Sequence, residues 1–165
     1  MISEMSKVRH LLLPFCEGNG IEIGHGGDKV KPSVISVDLP IMYTNVGNDP
    51  TNLTGDGRNL YWFKDRVLDF CISSHLLEDF EDTEAILKEW CRVIKSDGKL
   101  ILVLPDQQRY EAYCKSIGAG TNEHHKHFDF GSEFVKKRMP SNMFLIYESE
   151  IICEYNFMLV YSKKD

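Results

Sequence analysis

The sequence predicts an α/β domain whose sheet is mostly parallel and ends in an antiparallel hairpin. Short apolar runs alternate with helical or loop crossovers along most of the chain, which is typical of parallel strands. The run at residues 100–104 is apolar at every position, as expected of a strand buried on both faces. Two strand-like runs, 144–153 and 157–162, then follow without a helix between them, and residues 154–156 carry a hairpin turn signal.

Local signals predict the individual elements. Helices are predicted over residues 3–16, 82–95 and 132–139. For the second of these, Asp82 can cap the first turn and Gly98 can end the helix. The strands that precede the hairpin are predicted at residues 21–23, 34–37, 52–54, 68–72 and 99–104.

Composition limits the class of protein. The 165 residues are 42% hydrophobic and 27% charged, which suits one domain over residues 1–165. The net charge of -6 and the lack of a basic stripe disfavour a nucleic-acid partner. The five cysteines include no Cys-x-x-Cys pair, which favours reduced thiols and a cytoplasmic location. No apolar run approaches the roughly 20 residues that span a bilayer, so no membrane partner is expected.

A glycine-rich turn after the first strand is the strongest functional signal. Residues 22–27 are Glu-Ile-Gly-His-Gly-Gly, and Asp38 ends the next predicted strand. Open parallel sheets bind ligands beyond the carboxyl ends of their strands, where Gly24 and Gly26 leave backbone N–H groups accessible. Asp38 can accept hydrogen bonds from two ribose hydroxyls. The pattern therefore predicts a nucleoside site.

The same turn disfavours a dinucleotide. The Gly-x-Gly-x-x-Gly fingerprint needs glycine where Lys29 stands. The segment from Gly24 to Asp38 is also too short for a long helix whose N-terminus holds a pyrophosphate, and Pro32 lies within it. A nicotinamide-dependent reductase is therefore the least favoured of three hypotheses.

Further motifs follow this turn in a fixed order. The ordered set comprises residues 22–26, 36–38, 55–60, 69–78 and 92–98. Together they resemble the class I S-adenosylmethionine-dependent methyltransferases, in particular the group labelled methyltransferase type 11. The resemblance runs from about residue 18 to residue 105, and more loosely to the C-terminus. It implies a Rossmann-like three-layer sandwich with a C-terminal antiparallel hairpin, and S-adenosylmethionine as the cofactor.

The resemblance also implies a cofactor site. Its predicted residues are Glu22, Gly24, His25, Gly26, Asp38, Asp56, Gly57, Arg58, Ser73 and Ser74. Asp38 would bind the ribose hydroxyls, and Asp56 would accept from the exocyclic amine of adenine. Three departures from the family are present, of which Ser-Asp-Gly at residues 96–98, in place of Pro-Gly-Gly, is only a difference in turn chemistry. His25 replaces a Cys or small residue, and the first crossover is shortened to a turn, which removes one wall of the usual cofactor pocket.

Three histidines are the predicted catalytic residues. Methyl transfer mainly needs an acceptor held in line with the methyl group, although a hydroxyl acceptor gains from a general base. His75 follows the fourth strand, where the site is expected. His125 and His127 lie past the fifth strand, where the resemblance places a single histidine near the active face; a solvated loop is the other interpretation. Tyr110 can contact substrate or pack at the surface.

A metal site in the same loop is disfavoured. Histidines 124, 125 and 127 raise the possibility, since imidazole is a common zinc ligand. Their spacing does not match a helical i, i+4 pair, however, and no nearby carboxylate pattern completes a site. We therefore expect no metal.

The predicted function is methyl transfer from S-adenosylmethionine, by O- or N-methylation, to a small molecule or a sugar or glycan precursor. The sequence contains no inserted lid or separate substrate domain. We therefore expect an open acceptor cleft, or a second subunit of a homodimer that covers it. The alternative is a non-catalytic S-adenosylmethionine-binding or scaffold module of the same fold, which the small size and the shortened crossover suggest.

Overall fold

The computed structural model describes residues 3–41 and 46–165. Its strands are β1 (Gly20–Ile23), β2 (Ile35–Asp38), β3 (Leu53–Thr54), β4 (Leu68–Ser74), β5 (Ile94–Pro105), β6 (Met143–Ile152) and β7 (Asn156–Lys163). They form one sheet in the order β3-β2-β1-β4-β5-β7-β6. The first five strands pair in parallel, whereas β7 pairs antiparallel with β5 and β6. The predicted α/β fold, with its C-terminal antiparallel hairpin, is confirmed.

Helices cover both faces of this sheet. They are α1 (Glu4–Leu12), α2 (Thr83–Val93), α3 (Gln107–Ser116) and α4 (Ser132–Lys136). The apolar side of α2 packs with α4 in one core cluster, around Trp90. Residues of α1 form a second cluster with the opposite face of the sheet, where Phe70 and Ile101 lie. The result is the expected three-layer sandwich.

The first crossover contains no helix, as its short length predicted. Val30 and Val34 bury their side chains in the α1 cluster instead. Arg9 of α1 donates to the backbone oxygen of Lys29 at 3.1 Å and forms an ion pair with Asp28. Helix α1 and the crossover therefore cover this face of the sheet together.

The predicted end of α2 is wrong. The helix begins after its Asp82 cap, as expected, but ends at Val93, so that Gly98 lies inside β5. A Cβ at Gly98 would lie 2.9 Å from the backbone oxygen of Asp69. It would also lie 2.6 Å from Cγ2 of Ile94, so close contacts within β5 and with β4 favour glycine here, and not a helix stop.

Helix α3, directly after β5, was not predicted. Only Gln107 and Cys114 are buried along it, so its apolar periodicity is weak. Asp106 caps it by accepting from the backbone N–H of Arg109 at 3.1 Å. The helix matters because it carries Tyr110 toward the carboxyl end of the sheet.

Two other expectations concern cysteines and membranes. All five cysteines are free, four of them buried and Cys153 half-buried. Within residues 3–41 and 46–165, every helix is too short or too polar to cross a bilayer.

Candidate functional site

A cavity of about 520 Å³ lies at the carboxyl ends of β1, β2 and β4. The turns after these strands, the loop after β3, the start of α1, the middle of α3 and residues 122–126 line it. Small-molecule sites have volumes of about 300–1,000 Å³. The cavity therefore has the size of a ligand site and lies where an open parallel sheet places one.

The turn after β1 has a backbone that favours glycine. Gly24 has a φ of 73°, and its N–H donates to the backbone oxygen of Val37 at 2.9 Å. A Cβ at this position would lie 2.8 Å from Cδ2 of Leu76, which follows β4. The turn therefore packs directly against the end of the neighbouring strand. The prediction of accessible N–H groups is wrong, because Val37 accepts from Gly24 and Asp38 accepts from Gly26.

Asp38 faces the cavity from the end of β2. Its carboxylate accepts from the backbone N–H groups of Gly26, at 3.1 Å, and Leu39, at 2.8 Å. Two carboxylate oxygens offer about four acceptor sites, so both oxygens retain capacity for a ligand. The predicted ribose contact is therefore geometrically available.

His25 lines the cavity but fixes the turn. Its Nδ1 accepts from the backbone N–H of Gly27 at 3.1 Å. The ring proton then lies on Nε2, which donates to Oγ1 of Thr51 at 2.9 Å. Burial lowers the pKa of His25, which keeps the ring neutral. Both nitrogens are thus engaged within the protein.

Glu22 is buried beneath the same turn. One carboxylate oxygen accepts from the backbone N–H of Val30 at 2.7 Å, whereas the other has no hydrogen-bond partner in the described part of the chain. Burial raises the pKa of Glu22 to about 8. The side chain therefore holds the short crossover and leaves one oxygen open.

Asp56, Gly57 and Arg58 line the cavity after β3. The carboxylate of Asp56 accepts from Nε of Arg58 at 2.8 Å and from its backbone N–H at 2.9 Å. The side-chain hydrogen bonds from Arg58 lower the pKa of Asp56. An adenine amine at this position would share the carboxylate with the guanidinium.

His75 lies at the opposite end of the cavity, in the turn after β4. Its φ of 54° is rare for a residue with a side chain, and such strain is often found at functional sites. Its Nε2 is buried without a hydrogen-bond partner among the described residues, 3.9 Å from a carboxylate oxygen of Glu4. Burial lowers the pKa of His75 to about 4, so the ring is neutral near pH 7.

Glu78 and His125 complete this end. Oε1 of Glu78 lies 3.8 Å from Nδ1 of His75 and 3.8 Å from Nε2 of His125. Gln107 donates from its amide nitrogen to Glu111, so its oxygen accepts from Nδ1 of His125 at 2.7 Å. Nε2 of His125 therefore carries a lone pair that faces Glu78.

Two predicted residues lie outside the cavity. Ser73 is fully buried, and its hydroxyl donates to the backbone oxygen of Ile23 at 3.0 Å. His127 hydrogen-bonds through Nε2 to the backbone oxygen of Phe80 at 2.9 Å, and its ring packs 4.7 Å from that of Phe134. Both side chains hold the structure around the site. Ser74, in contrast, lines the cavity.

Several lining residues were not predicted from the sequence, among them Glu78, Glu4 and Tyr155. For Glu78, the spacing of three from His75 was a weak signal. Glu4 arrives from α1 and Tyr155 from the β6–β7 turn, far away in sequence. Within residues 3–41 and 46–165, no three His, Cys, Asp or Glu side chains are grouped for a metal ion.

Comparisons with known proteins agree with this geometry. Residues 24–102 match a family described as a methyltransferase domain. No curated protein sequence matches the chain.

Solved structures with a similar fold cover nearly the whole chain. A protein from Pyrococcus horikoshii OT3 is 20% identical, with a TM-score of 0.74 over 97% of this chain and 89% of that one. A possible histamine N-methyltransferase from Thermotoga maritima is 22% identical, with a TM-score of 0.65 over 99% and 88%. N-methyltransferase NodS from Bradyrhizobium japonicum WM9, in complex with S-adenosyl-L-homocysteine, is 16% identical, with a TM-score of 0.62 over 99% and 89%. At these identities the similarities establish the fold.

Proposed function

Because the chain matches the methyltransferase-domain family over residues 24–102 and has the fold of the class I S-adenosylmethionine-dependent methyltransferases, we propose that it methylates a small molecule. One observation carries this proposal. A single cavity joins a nucleoside-sized cradle at Asp38 to a second end where Glu78 and His75 have buried atoms without partners. Two ligands can therefore meet inside it.

The cradle suits S-adenosylmethionine. Asp38 retains acceptor capacity for ribose hydroxyls, and the tight turn at Gly24 lines the cavity beside it. Asp56 offers a carboxylate to the adenine amine. The NodS neighbour, which is in complex with S-adenosyl-L-homocysteine, supports the same cofactor. When bound, S-adenosylmethionine supplies an electrophilic methyl group: an acceptor lone pair forms the bond to carbon as the carbon–sulfur pair returns to sulfur.

The shape of the cavity favours a small acceptor. The rim residues Leu39, Arg58 and Lys126 are exposed, so the cavity opens to solvent, whereas Glu78 at its inner end is 1% exposed. His75, Glu78 and His125 surround that inner end. They can orient an acceptor and take up its proton. A hydroxyl or an amine satisfies this chemistry, and a sugar or glycan precursor that inserts one group satisfies it too.

Calorimetric titration with S-adenosylmethionine and S-adenosylhomocysteine tests the proposal. We expect both to bind, and Asp38→Ala to weaken each by about 1–3 kcal/mol, because backbone N–H groups lose their partner and the ribose loses its acceptor. Asp65→Ala, at an exposed aspartate paired with Arg92, is the matched control and should bind normally. If neither ligand binds the unmodified protein, the proposal fails and the scaffold alternative stands.

A further inference from the structure

The inner end of the cavity has buried acceptors without enough donors. The Glu78 side chain is nearly inaccessible, and its Oε2 has no hydrogen-bond partner in the described part of the chain. Its Oε1 is too far, at 3.8 Å, for a hydrogen bond to His75 or His125. The backbone N–H of Glu78 itself donates to this carboxylate, but burial of the charged form is still costly, and a ligand that brings further donors relieves that cost.

Aromatic rings form the wall beside this carboxylate. The ring centroids of Tyr110 and Tyr155 are 5.1 Å apart, and that of Tyr110 lies 4.9 Å from His125. His75 meets Tyr155 edge-on at 6.2 Å. The faces of tyrosine rings carry partial negative charge and attract cations. Such a wall next to a carboxylate is suited to a positively charged group.

Positive side chains lie elsewhere. Arg58 lines the cavity with an exposed side chain that is bound to Asp56. Lys126 donates its backbone N–H to the backbone oxygen of Glu78 at 2.9 Å, but its side chain is exposed. Lys7 is paired with Glu4 at 2.7 Å. Among the described lining residues, therefore, no cationic side chain neutralises Glu78.

We infer that the acceptor is an amine, whose nitrogen enters as an ammonium held by Glu78 against the rings of Tyr110 and Tyr155. This inference rests on the proposed methyl transfer and narrows it to N-methylation. An ammonium brings a positive charge and several N–H donors, whereas an alcohol brings one donor and no charge. Of the two groups, only the ammonium supplies both a donor for the unpartnered oxygen of Glu78 and a positive charge for the aromatic wall.

Glu78 also accepts the proton that the ammonium must lose. An ammonium has no lone pair, so one N–H bond must break before the nitrogen can accept a methyl group. Glu78 takes that proton, forming an O–H bond and leaving a neutral amine in place. Burial raises the pKa of the Glu78 carboxyl, which makes its carboxylate a better base than an exposed one. The freed lone pair then forms the N–C bond as the C–S bond breaks.

A matched pair of probes tests this acceptor class without relying on turnover. The protein, saturated with S-adenosylhomocysteine, is titrated calorimetrically with 2-phenylethylamine and with 2-phenylethanol at equal ionic strength. We expect the amine to bind at least about tenfold more tightly, as a desolvated cation–π and charge-assisted contact provides. Glu78→Gln should abolish the preference. Tyr110→Leu should weaken it, and Tyr110→Phe, which keeps the ring, should retain it.

The possible outcomes distinguish a failure of the proposed methyl transfer from a failure of the proposed amine acceptor. Failure of S-adenosylhomocysteine to bind overturns the proposed function and this inference together. If it binds while the alcohol binds as well as the amine or better, methyl transfer stands and the amine acceptor is wrong. Retention of the preference in Glu78→Gln overturns the assigned role of Glu78. Retained S-adenosylhomocysteine binding and an unchanged circular dichroism spectrum show that the variants fold, and Glu133→Gln, at an exposed glutamate, is the control.

Discussion

The two ends of the cavity differ in how far the protein satisfies its own polar groups. At the proposed cofactor end, Asp38 accepts two backbone N–H groups and both ring nitrogens of His25 are bonded within the protein. At the proposed acceptor end, Glu78 and His75 keep buried atoms without partners among the described residues. Glu22 is intermediate, with one oxygen bonded and one open. The first end is a preformed cradle, whereas the second depends on a ligand for part of its hydrogen bonding.

The largest expected effect is at the unsatisfied end. Glu78→Gln should stabilise the ligand-free protein increasingly as pH rises above 4.5, by up to about 1.4 kcal/mol per pH unit. The folded-state pKa of Glu78 is raised, so the unmodified protein loses stability as pH rises toward that value, and glutamine cannot ionise. His75 and His125, which lie 3.8 Å from Oε1 of Glu78, are unchanged by the substitution. Denaturant unfolding at several pH values measures the difference.

The stabilisation by Glu78→Gln distinguishes the two ends of the cavity only if it depends on pH. At pH 4 the two proteins should have nearly equal free energies of unfolding, because the carboxyl is protonated in both the folded and unfolded states. An equal difference at pH 4 and pH 8 would contradict the assignment of an unsatisfied carboxylate.

Glu22→Gln should also stabilise the ligand-free protein as pH rises, by a smaller amount than Glu78→Gln. The folded-state pKa of Glu22 is raised to about 8, so its cost grows between about pH 4.5 and 8 and then stops growing. The backbone N–H of Val30 partly offsets that cost, and glutamine keeps an oxygen to accept it. The same unfolding series measures it. A larger increase in the free energy of unfolding for Glu22→Gln than for Glu78→Gln would contradict the expected order of the two effects.

A glycine pair tests whether the cradle depends on its backbone. Gly24→Ala should cost about 1–2 kcal/mol of stability from the positive φ and weaken S-adenosylhomocysteine binding at least about tenfold, because Leu76 must move. Gly118 has a similar φ of 67° but open space at its Cβ position. Thermal unfolding and calorimetry should therefore show Gly118→Ala losing similar stability while binding normally. If Gly24→Ala and Gly118→Ala bind S-adenosylhomocysteine equally well, the turn at Gly24 does not contribute to the binding site.

The smallest effect is expected where His25 meets Thr51. Thr51→Val removes the acceptor of the Nε2 proton and should cost about 1 kcal/mol of stability, with a modest loss of S-adenosylhomocysteine affinity. Thr54→Val, at an exposed position in β3, is the control. Chemical unfolding and calorimetry measure both. An unchanged Thr51→Val protein would mean that this hydrogen bond does not hold the turn.

Sequence reasoning was most successful where one short segment carries the whole signal. The strands, the Asp82 cap and the turn at Gly24 depend on residues that lie next to each other in the chain, so pattern and turn chemistry suffice. It failed at Gly98, because part of the reason for that glycine lies on the neighbouring strand. It also missed α3, whose apolar periodicity is too weak to predict a helix.

The sequence by itself determined the mostly parallel strands, the C-terminal hairpin, the glycine turn and the acidic residue that ends β2. Only the tertiary structure decided which side chains share the inner end of the cavity, since Glu4, Glu78 and Tyr155 come from three distant segments. It also separated His125, which faces Glu78, from His127, which packs among phenylalanines. The physical reason is that strand periodicity and turn conformation are local properties, whereas burial and missing hydrogen-bond partners depend on the packing of the whole chain.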